Sequence, residues 1–486
     1  MAYKLRSYQE ECVKSISSYI NSDRNDPVLV IGPVGCGKSL LIAEAARLMG
    51  DKTLVLQPSK ELLQQNYDKL TSYGIPATIY SASCGKKELS NMIYATLGSV
   101  KKVIGQLKEM GIRNVLIDEA HAGYSPEDGS EFMTFMNELK PKKVIGFTAT
   151  PCRLKTMSIG QVSYSQLNFI TRMRPVYFKN LIHVIQVEEM IRQGFWTPLK
   201  YETWDFNGDA LKLNSNGSEY TAESISEAVR KNGLNNLILR RLMVLKDVCR
   251  SILVFMDSVE SCNTAAEWMN AKICAGMAEV VHGGTPKRQR EAIVERFKSG
   301  GTQVVFNYSA LGTGFDHPGL DCVVFGRPTF SFSTWYQAIG RAVRIKDGKD
   351  SAMVVDCCDN SSRFGDIRGL SIENYKGYGW GMFIGDKLIT NIPMGDKVTK
   401  TDLDIKAAKK DRRRGLAQGV TAAPIPGRPP YPLGSTVMAF GKYSGWMLHS
   451  IPVSYFKFIN ETFDWDNNRN KEIKEYIDFL IKNNRL

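Results

Sequence analysis

The sequence predicts an α/β protein of two tandem parallel-sheet units followed by a small C-terminal α+β module. Three observations point there. Short apolar, β-branched runs alternate with longer helical patterns, and each run is followed by a loop rich in Gly, Pro, Ser or Thr. That rhythm occurs twice, on either side of a polar stretch at Asn207 to Gly217. After Asp356 it breaks down into Gly- and aromatic-rich, then basic, then Pro-rich sequence. Continuous apolar strands separated by helices belong to a parallel sheet covered on both faces.

In the first unit the strands are expected at Val28–Ile31, Thr53–Leu56, Val115–Ile117 and Val144–Phe147. In the second they are expected at Ile252–Phe255, Glu279–Val281, Gln303–Phe306, Cys322–Phe325 and Met353–Val355. These spans place domains at 1–160 and 161–362, an accessory segment with a basic and Pro-rich linker at 363–434, and a module at 435–486. The linker carries the basic run Lys406 to Arg414 and the Pro-rich stretch Ala422 to Ser435.

The 486 residues suffice for about three domains. Apolar residues at 43% and charged residues at 23% exclude disorder as the main state. No apolar run approaches the ~20 residues of a membrane span, and the N-terminus lacks a secretory signal pattern. The ten cysteines show no CxxC pairing, so neither a zinc site nor a disulfide framework is expected, and a reducing, cytoplasmic setting is. Lys and Arg number 63 against 50 acids, a net charge of +13 that points to a polyanionic partner.

Gly32-Pro33-Val34-Gly35-Cys36-Gly37-Lys38-Ser39 fits G-x-x-x-x-G-K-[ST], directly after one expected strand and opening a helix. Such a loop lets backbone N–H groups curl around a phosphate, and the helix N-terminus adds its positive dipole end. Lys38 would reach the β- and γ-phosphates, and the Ser39 hydroxyl would hold Mg²⁺. Val115-Leu116-Ile117-Asp118-Glu119-Ala120-His121 places two carboxylates at the end of a buried strand. Alone that is a common way to solvate a strand end. In the same unit as Lys38 it assigns Asp118 to Mg²⁺ and Glu119 to the attacking water. Thr148-Ala149-Thr150-Pro151 is either a relay to neighbouring loops or a hydroxyl-rich turn.

In this order the three motifs resemble those of superfamily 2 helicases of the DEAH-box type, whose motors are paired RecA-like domains. Gly312-Thr313-Gly314-Phe315-Asp316 and Gln337-Ala338-Ile339-Gly340-Arg341-Ala342-Val343-Arg344 resemble two later motifs of that family. The resemblance implies that Gln337, Arg341 and Arg344 join Lys38 and Glu119 in catalysis. Arg341 and Arg344, at i and i+3, share one helix face. It further implies ATP contacts from Arg6, Gln9, Gly314 and Asp316 beside residues 32–39. Loops holding a nucleic-acid backbone are implied at Pro58, Ser59, Ser99, Thr148, Thr150, Ser258, Thr285 and Thr313. Ser and Thr hydroxyls suit phosphate oxygens and read no sequence.

Gly146 to Leu154, Arg192 to Pro198 and Leu311 to Pro318 resemble RadD-type bacterial DNA helicases over roughly residues 1–360. The chain departs from them in having Ala120 where they carry Cys, and in lacking their zinc region. Phe440-Gly441-Lys442-Tyr443-Ser444-Gly445-Trp446 resembles an FGKYxG module of phage helicases. Its aromatics either stack on bases or form a mini-core around Trp446 and Tyr455. Lys406 to Arg414 either touches DNA phosphates or is a solvated linker.

The resemblance implies an ATP- and Mg²⁺-dependent motor on DNA, a nucleic-acid-stimulated ATPase acting in phage replication, recombination or repair. Replication or recombination proteins would be met through the tail, and no membrane is involved. An RNA helicase and an ATP-binding clamp that does not unwind are the alternatives. A restriction-type translocase with a fused nuclease is disfavoured, because no nuclease carboxylate set is found.

Overall fold

The computed structural model describes residues 4–407 except 123, 125–126, 128, 160–161, 312–314, 316, 377 and 395. Beyond 407 it describes 438, 443, 448, 451, 453–462 and 471–482. Thr313, Gly314, Asp316, Trp446 and most of the basic and Pro-rich linker therefore lie outside the described residues.

The first sheet has eight strands: β1 (Val28–Ile31), β2 (Thr53–Leu56), β3 (Thr78–Ser81), β4 (Lys86–Lys87), β5 (Met92–Ala95), β6 (Asn114–Ile117), β7 (Lys143–Thr148) and β10 (Asn180–Val184). Their order is β10-β1-β7-β6-β2-β5-β3-β4, parallel apart from the β3–β4 pair. Strands β1, β2, β5, β6 and β7 are buried along their whole length, which is why their central residues are mostly apolar. A hairpin of β8 (Cys152–Ile159) and β9 (Val162–Phe169) separates β7 from β10.

The second sheet runs β11-β16-β15-β12-β14-β13 and is parallel throughout. Its strands are β11 (Leu199–Thr203), β12 (Ile252–Phe255), β13 (Ala278–His282), β14 (Val304–Tyr308), β15 (Cys322–Phe325) and β16 (Ala352–Asp356). All nine expected strands are present, and the polar stretch from Asn207 is irregular, as expected.

Two boundaries differ from expectation. The first sheet does not end by residue 160. After the hairpin the chain returns to lay β10 alongside β1, pairing Val28 with Asn180. The passage to the second sheet thus falls between Val184 and Leu199. The segment expected to be accessory from 363 is also divided. Residues up to Asn374 and Trp380–Lys397 belong to the same compact unit as both sheets, and short strands form at Leu370–Tyr375, Gly379–Ile384 and Lys387–Leu388.

Local sequence explains the helices that matter for the site. Ser7–Ile20 buries Tyr8, Cys12, Ile16 and Tyr19, spaced at four, four and three, so one stripe faces the first sheet. Each such side chain contributes about 1.5–3 kcal/mol when fully buried. Phe332–Ala342 is capped by Ser331, whose side chain accepts the Thr334 N–H, and buries Phe332, Trp335, Tyr336 and Ile339. A second compact unit comprises Tyr375–Gly379 and Val398–Leu486. Two of its helices, Val453–Thr462 and Lys471–Lys482, carry a core that includes Phe456, Ile459, Ile473, Tyr476 and Ile477.

Candidate nucleotide site

β1, β7 and β6 are neighbours in the first sheet, so the loops leaving their C-terminal ends meet along one edge. Ligands of open parallel sheets bind there. The Gly32 N–H donates to Thr148 O (3.1 Å) and the Ala120 N–H to Phe147 O (2.9 Å), which ties the three loops together. The phosphate loop turns into the helix Lys38–Met49 at Gly37, with φ at +82°. A Cβ at Gly37 would lie 2.7 Å from Gln9 Nε2, so only glycine serves both the turn and the contact.

A cavity of about 480 Å³ opens over this edge and is completed by the helix Phe332–Ala342 of the second sheet's domain. Of the expected site residues, Arg6, Gln9, Val34, Gly35, Gly37, Lys38, Ser39, Asp118, Glu119, Gln337, Arg341 and Arg344 line it. Gly32, Pro33 and Cys36 lie in the loop's buried underside. The Cys36 thiol is 1% exposed, and burial pushes it up to about 11.

Lys38 Nζ stands 3.7 Å from Glu119 Oε1. Burial works against the Lys38 charge, but the neighbouring anions, Glu119 foremost, hold it above the ordinary lysine value. Asp118 is fixed from two sides: Oδ1 accepts the Glu119 N–H (2.9 Å) and Oδ2 accepts Asn66 Nδ2 (2.8 Å). Burial first, and the adjacent Glu119 second, drive the Asp118 carboxyl well above the ordinary range. Glu119 has φ of +45°, a left-handed conformation that costs a non-glycine residue of order 1–3 kcal/mol. Its Oε2 is buried without a hydrogen bond among the described residues. The buried Asp118 carboxylate and the half-buried Glu119 carboxylate, whose Oε2 faces His121 Nδ1 at 3.4 Å, share a cavity wall with the Ser39 hydroxyl, and these oxygens are a donor set suited to Mg²⁺.

Gln9 is 4% exposed, and its Nε2 donates to Cys36 O (2.9 Å) while its Oε1 accepts the Arg6 N–H (2.9 Å). One amide proton and one lone pair remain for a base. From the second domain, the Arg341 guanidinium donates to Phe315 O, and Glu119 acts on it electrostatically. Burial lowers Arg341 to about 10. Arg344 lies beyond the helix, whose C-cap is Val343, so it does not share the expected helix face with Arg341, and it bears on Lys38 as a like charge. Gly340 brings the arginine helix against the phosphate loop: a Cβ there would sit 2.5 Å from Val34 Cβ.

Two expectations need correction. Thr148 and Thr150 are both fully buried, so neither presents its hydroxyl to a nucleic-acid backbone. They clasp His121 instead, with Thr148 Oγ1 2.7 Å from Nδ1 and Thr150 Oγ1 3.0 Å from Nε2. Ser333 of the helix Phe332–Ala342 lies 3.4 Å from Thr150 Oγ1. Thr285 is also buried, and its hydroxyl accepts the His282 N–H (3.0 Å) to close its own loop. Ser59 and Ser258 cap helices through Leu62 N and Ser261 N, while Pro58 is exposed and the Ser99 hydroxyl accepts Ala82 N–H (3.0 Å).

Sequence reasoning gave no role to Asn66, Phe195, Trp196 or Thr197. Arg6 lies over the Phe195 ring at 4.5 Å, beside the cavity. Trp196 Nε1 donates to Val34 O (2.9 Å), and Thr197 bonds Val343 O through its N–H and Arg344 O through its hydroxyl, both at 2.8 Å. These two residues stitch the phosphate loop to the end of the arginine helix. The only available signal was the stretch Arg192 to Pro198, already noted for its resemblance.

Comparison with known proteins bears on the two sheet domains. Residues 2–153 match the family described as type III restriction enzyme, res subunit, and residues 235–346 match the helicase conserved C-terminal domain. The two sheet domains therefore match the paired RecA-like domains of superfamily 2 helicases. It is 24% identical over 378 residues to the Saccharomyces cerevisiae protein named as ATP-dependent helicase IRC3, covering 74% of this chain and 52% of that protein. It is also 24% identical over 332 residues to a 51.5 kDa protein of a Lactococcus phage, covering 68% and 65%. The chain thus spans about half to two thirds of those relatives. Among solved structures, the DNA-bound Type ISP restriction-modification enzyme LlaBIII shares the fold, with a TM-score of 0.55 at 16% identity, over 86% of this chain and 30% of that one.

Proposed function

We propose that the protein is an ATP-dependent motor that translocates along or unwinds DNA, in a phage or bacterial setting of replication, recombination or repair. The observation that carries this reading is the single cavity in which Lys38, Asp118 and Glu119 of one domain face Arg341 and Arg344 of the other. Lys38 would hold the β- and γ-phosphates. Ser39 and Asp118 would hold Mg²⁺, which supplies charge neutralisation at the phosphates when bound. Glu119 orients the attacking water and takes its proton. Arg341 and Arg344 meet the charge that develops on the transferred phosphoryl group. Because that site is complete only when the domains are together, turnover alternates their approach and release, and grip on the strand alternates with it.

The likeness to RadD-type enzymes in residues 1–360 favours DNA, the excess of basic residues a polyanion, and the ten scattered cysteines a cytoplasmic, thiol-reducing setting. Among the described residues no helix is long and apolar enough to cross a membrane. The test is phosphate release measured with single-stranded DNA and RNA of equal length. DNA stimulation is expected, with turnover lost in Glu119→Gln while ATP still binds. Stimulation by RNA alone would assign the RNA reading, and binding without turnover would assign a clamp.

A further inference from the structure

We propose that Glu219, in the polar loop ahead of the helix Ala222–Lys231, is a positioning residue for the arginine helix and ties it to the β8–β9 hairpin. The inference rests on Arg341 acting on ATP as read above. It starts from one carboxylate with two engaged oxygens. Glu219 Oε2 accepts the Thr329 hydroxyl (2.7 Å), and Oε1 accepts the Phe330 N–H (2.7 Å) as well as its own Tyr220 N–H (3.0 Å). Thr329 and Phe330 immediately precede Ser331, the N-cap of the arginine helix. An anion at that end also meets the positive end of the helix dipole.

The surroundings leave this contact little slack. Thr329 is 3% exposed, its N–H donates to Asn360 Oδ1 (2.9 Å), and its hydroxyl oxygen accepts the Ser331 N–H (3.1 Å). Tyr220 packs edge-on against Phe330 at 5.4 Å, and the Arg363 guanidinium lies over both rings. Helix Phe332–Ala342 is therefore gripped at its start by Glu219 and at its end by Thr197. Its position along its own axis decides how far Arg341 reaches into the cavity.

The other side of the same loop holds the first domain. Thr156 Oγ1 of β8 donates to Asn216 O (2.8 Å), and Ser165 Oγ of β9 donates to Gly217 O (3.0 Å). A Cβ at Gly217 would fall 2.2 Å from Thr156 Oγ1, so the loop touches the hairpin as closely as backbone can. Asn214 N–H donates to Glu219 O (2.8 Å), which closes the loop on itself and joins the two contacts. A shift of the hairpin is thus handed to the arginine helix through a few residues.

The experiment is steady-state ATP turnover of the full chain with DNA present. Glu219→Ala should lower kcat about a hundredfold, the cost of a misplaced catalytic group, with KM for ATP unchanged because Lys38 and the base-binding wall lie elsewhere. Glu219→Gln should restore kcat, since its amide still accepts the Phe330 N–H. Thr329→Val should lower kcat in the same sense, and combined with Glu219→Ala should add nothing further. Hydrogen exchange over residues 328–334 should speed up in Glu219→Ala. Wild-type kcat in Glu219→Ala or Thr329→Val, or a loss confined to KM, overturns the proposal. If Glu219→Ala fails to fold, Thr329→Val decides by the same criterion. If the wild-type protein hydrolyses no ATP, the proposed function fails. The latch then stands on faster exchange in Glu219→Ala and falls on unchanged exchange.

Discussion

Gly340 is the residue whose side chain, or lack of one, sets the distance between the two halves of the site. Val34 is β-branched and its carbonyl is held by Trp196, so it cannot retreat from a methyl group 2.5 Å away. Gly340→Ala should push the arginine helix off the phosphate loop and reduce ATP turnover about a hundredfold, at a stability cost of about 1–3 kcal/mol. Turnover and thermal melting of the same preparation check this. Unimpaired turnover would mean that the close approach is not needed for chemistry. Motif residues such as Lys38, Asp118 and Glu119 were legible because their chemistry is local to a strand end and its loop. Asn66, Trp196 and Glu219 were not, because a hydrogen bond across 52 to 162 residues leaves no periodicity in the chain.

At the scale of elements, the arginine helix is also secured from below. Lys349 Nζ donates to Ala342 O (2.7 Å) and Arg344 O (2.8 Å) where the helix ends, and to Pro318 O (3.2 Å) in the loop before β15. Lys349→Met keeps the aliphatic stem and strips all three donors, and should cost about 1–3 kcal/mol in denaturant unfolding. A second element-level expectation concerns pH. His317 packs against Phe297 and Phe315 and contacts the Ser251 hydroxyl (2.8 Å). Burial above all, with Lys346, Lys298 and Lys349 nearby, holds its imidazole down at about 4. The unfolded chain takes up that proton near pH 6.5 and the folded chain does not. Stability is therefore full above about 6.5 and declines as pH falls toward about 4. His317→Gln should flatten that part of the melting-temperature profile, and a parallel profile would remove His317 from the explanation.

Over the whole molecule, most of the fully buried strands were legible, while Met92–Ala95 (β5), equally buried, was not expected. Unbroken apolar runs such as Val28–Ile31 and Cys322–Phe325 identify themselves. β10 did not, because it is an edge strand with exposed Asn180 and partly exposed Leu181, Ile182, His183 and Val184, and that mixed pattern resembles a loop. Missing it put the domain boundary at 160 instead of between Val184 and Leu199, since only β10 shows the chain returning to the first sheet. The charge excess was legible as a sign and not as a place. The hydroxyls assigned to phosphate binding proved partly to be helix caps and loop closures, roles that the same residue types fill for the same reason.

The thiol distribution offers an experimental handle. Eight of the ten cysteines are buried, Cys84 is half-buried, and Cys274 alone is exposed, just past the helix Val259–Lys272 of the second domain. Cys36, although it sits in the phosphate loop, is shut away as a poorly ionised thiol. A maleimide dye added briefly to native protein should attach first at Cys274 and leave ATP turnover unchanged, with peptide mapping as the check. The unmodified chain would then carry its own fluorescent reporter on one half of the motor, ready for single-molecule recording without prior removal of cysteines.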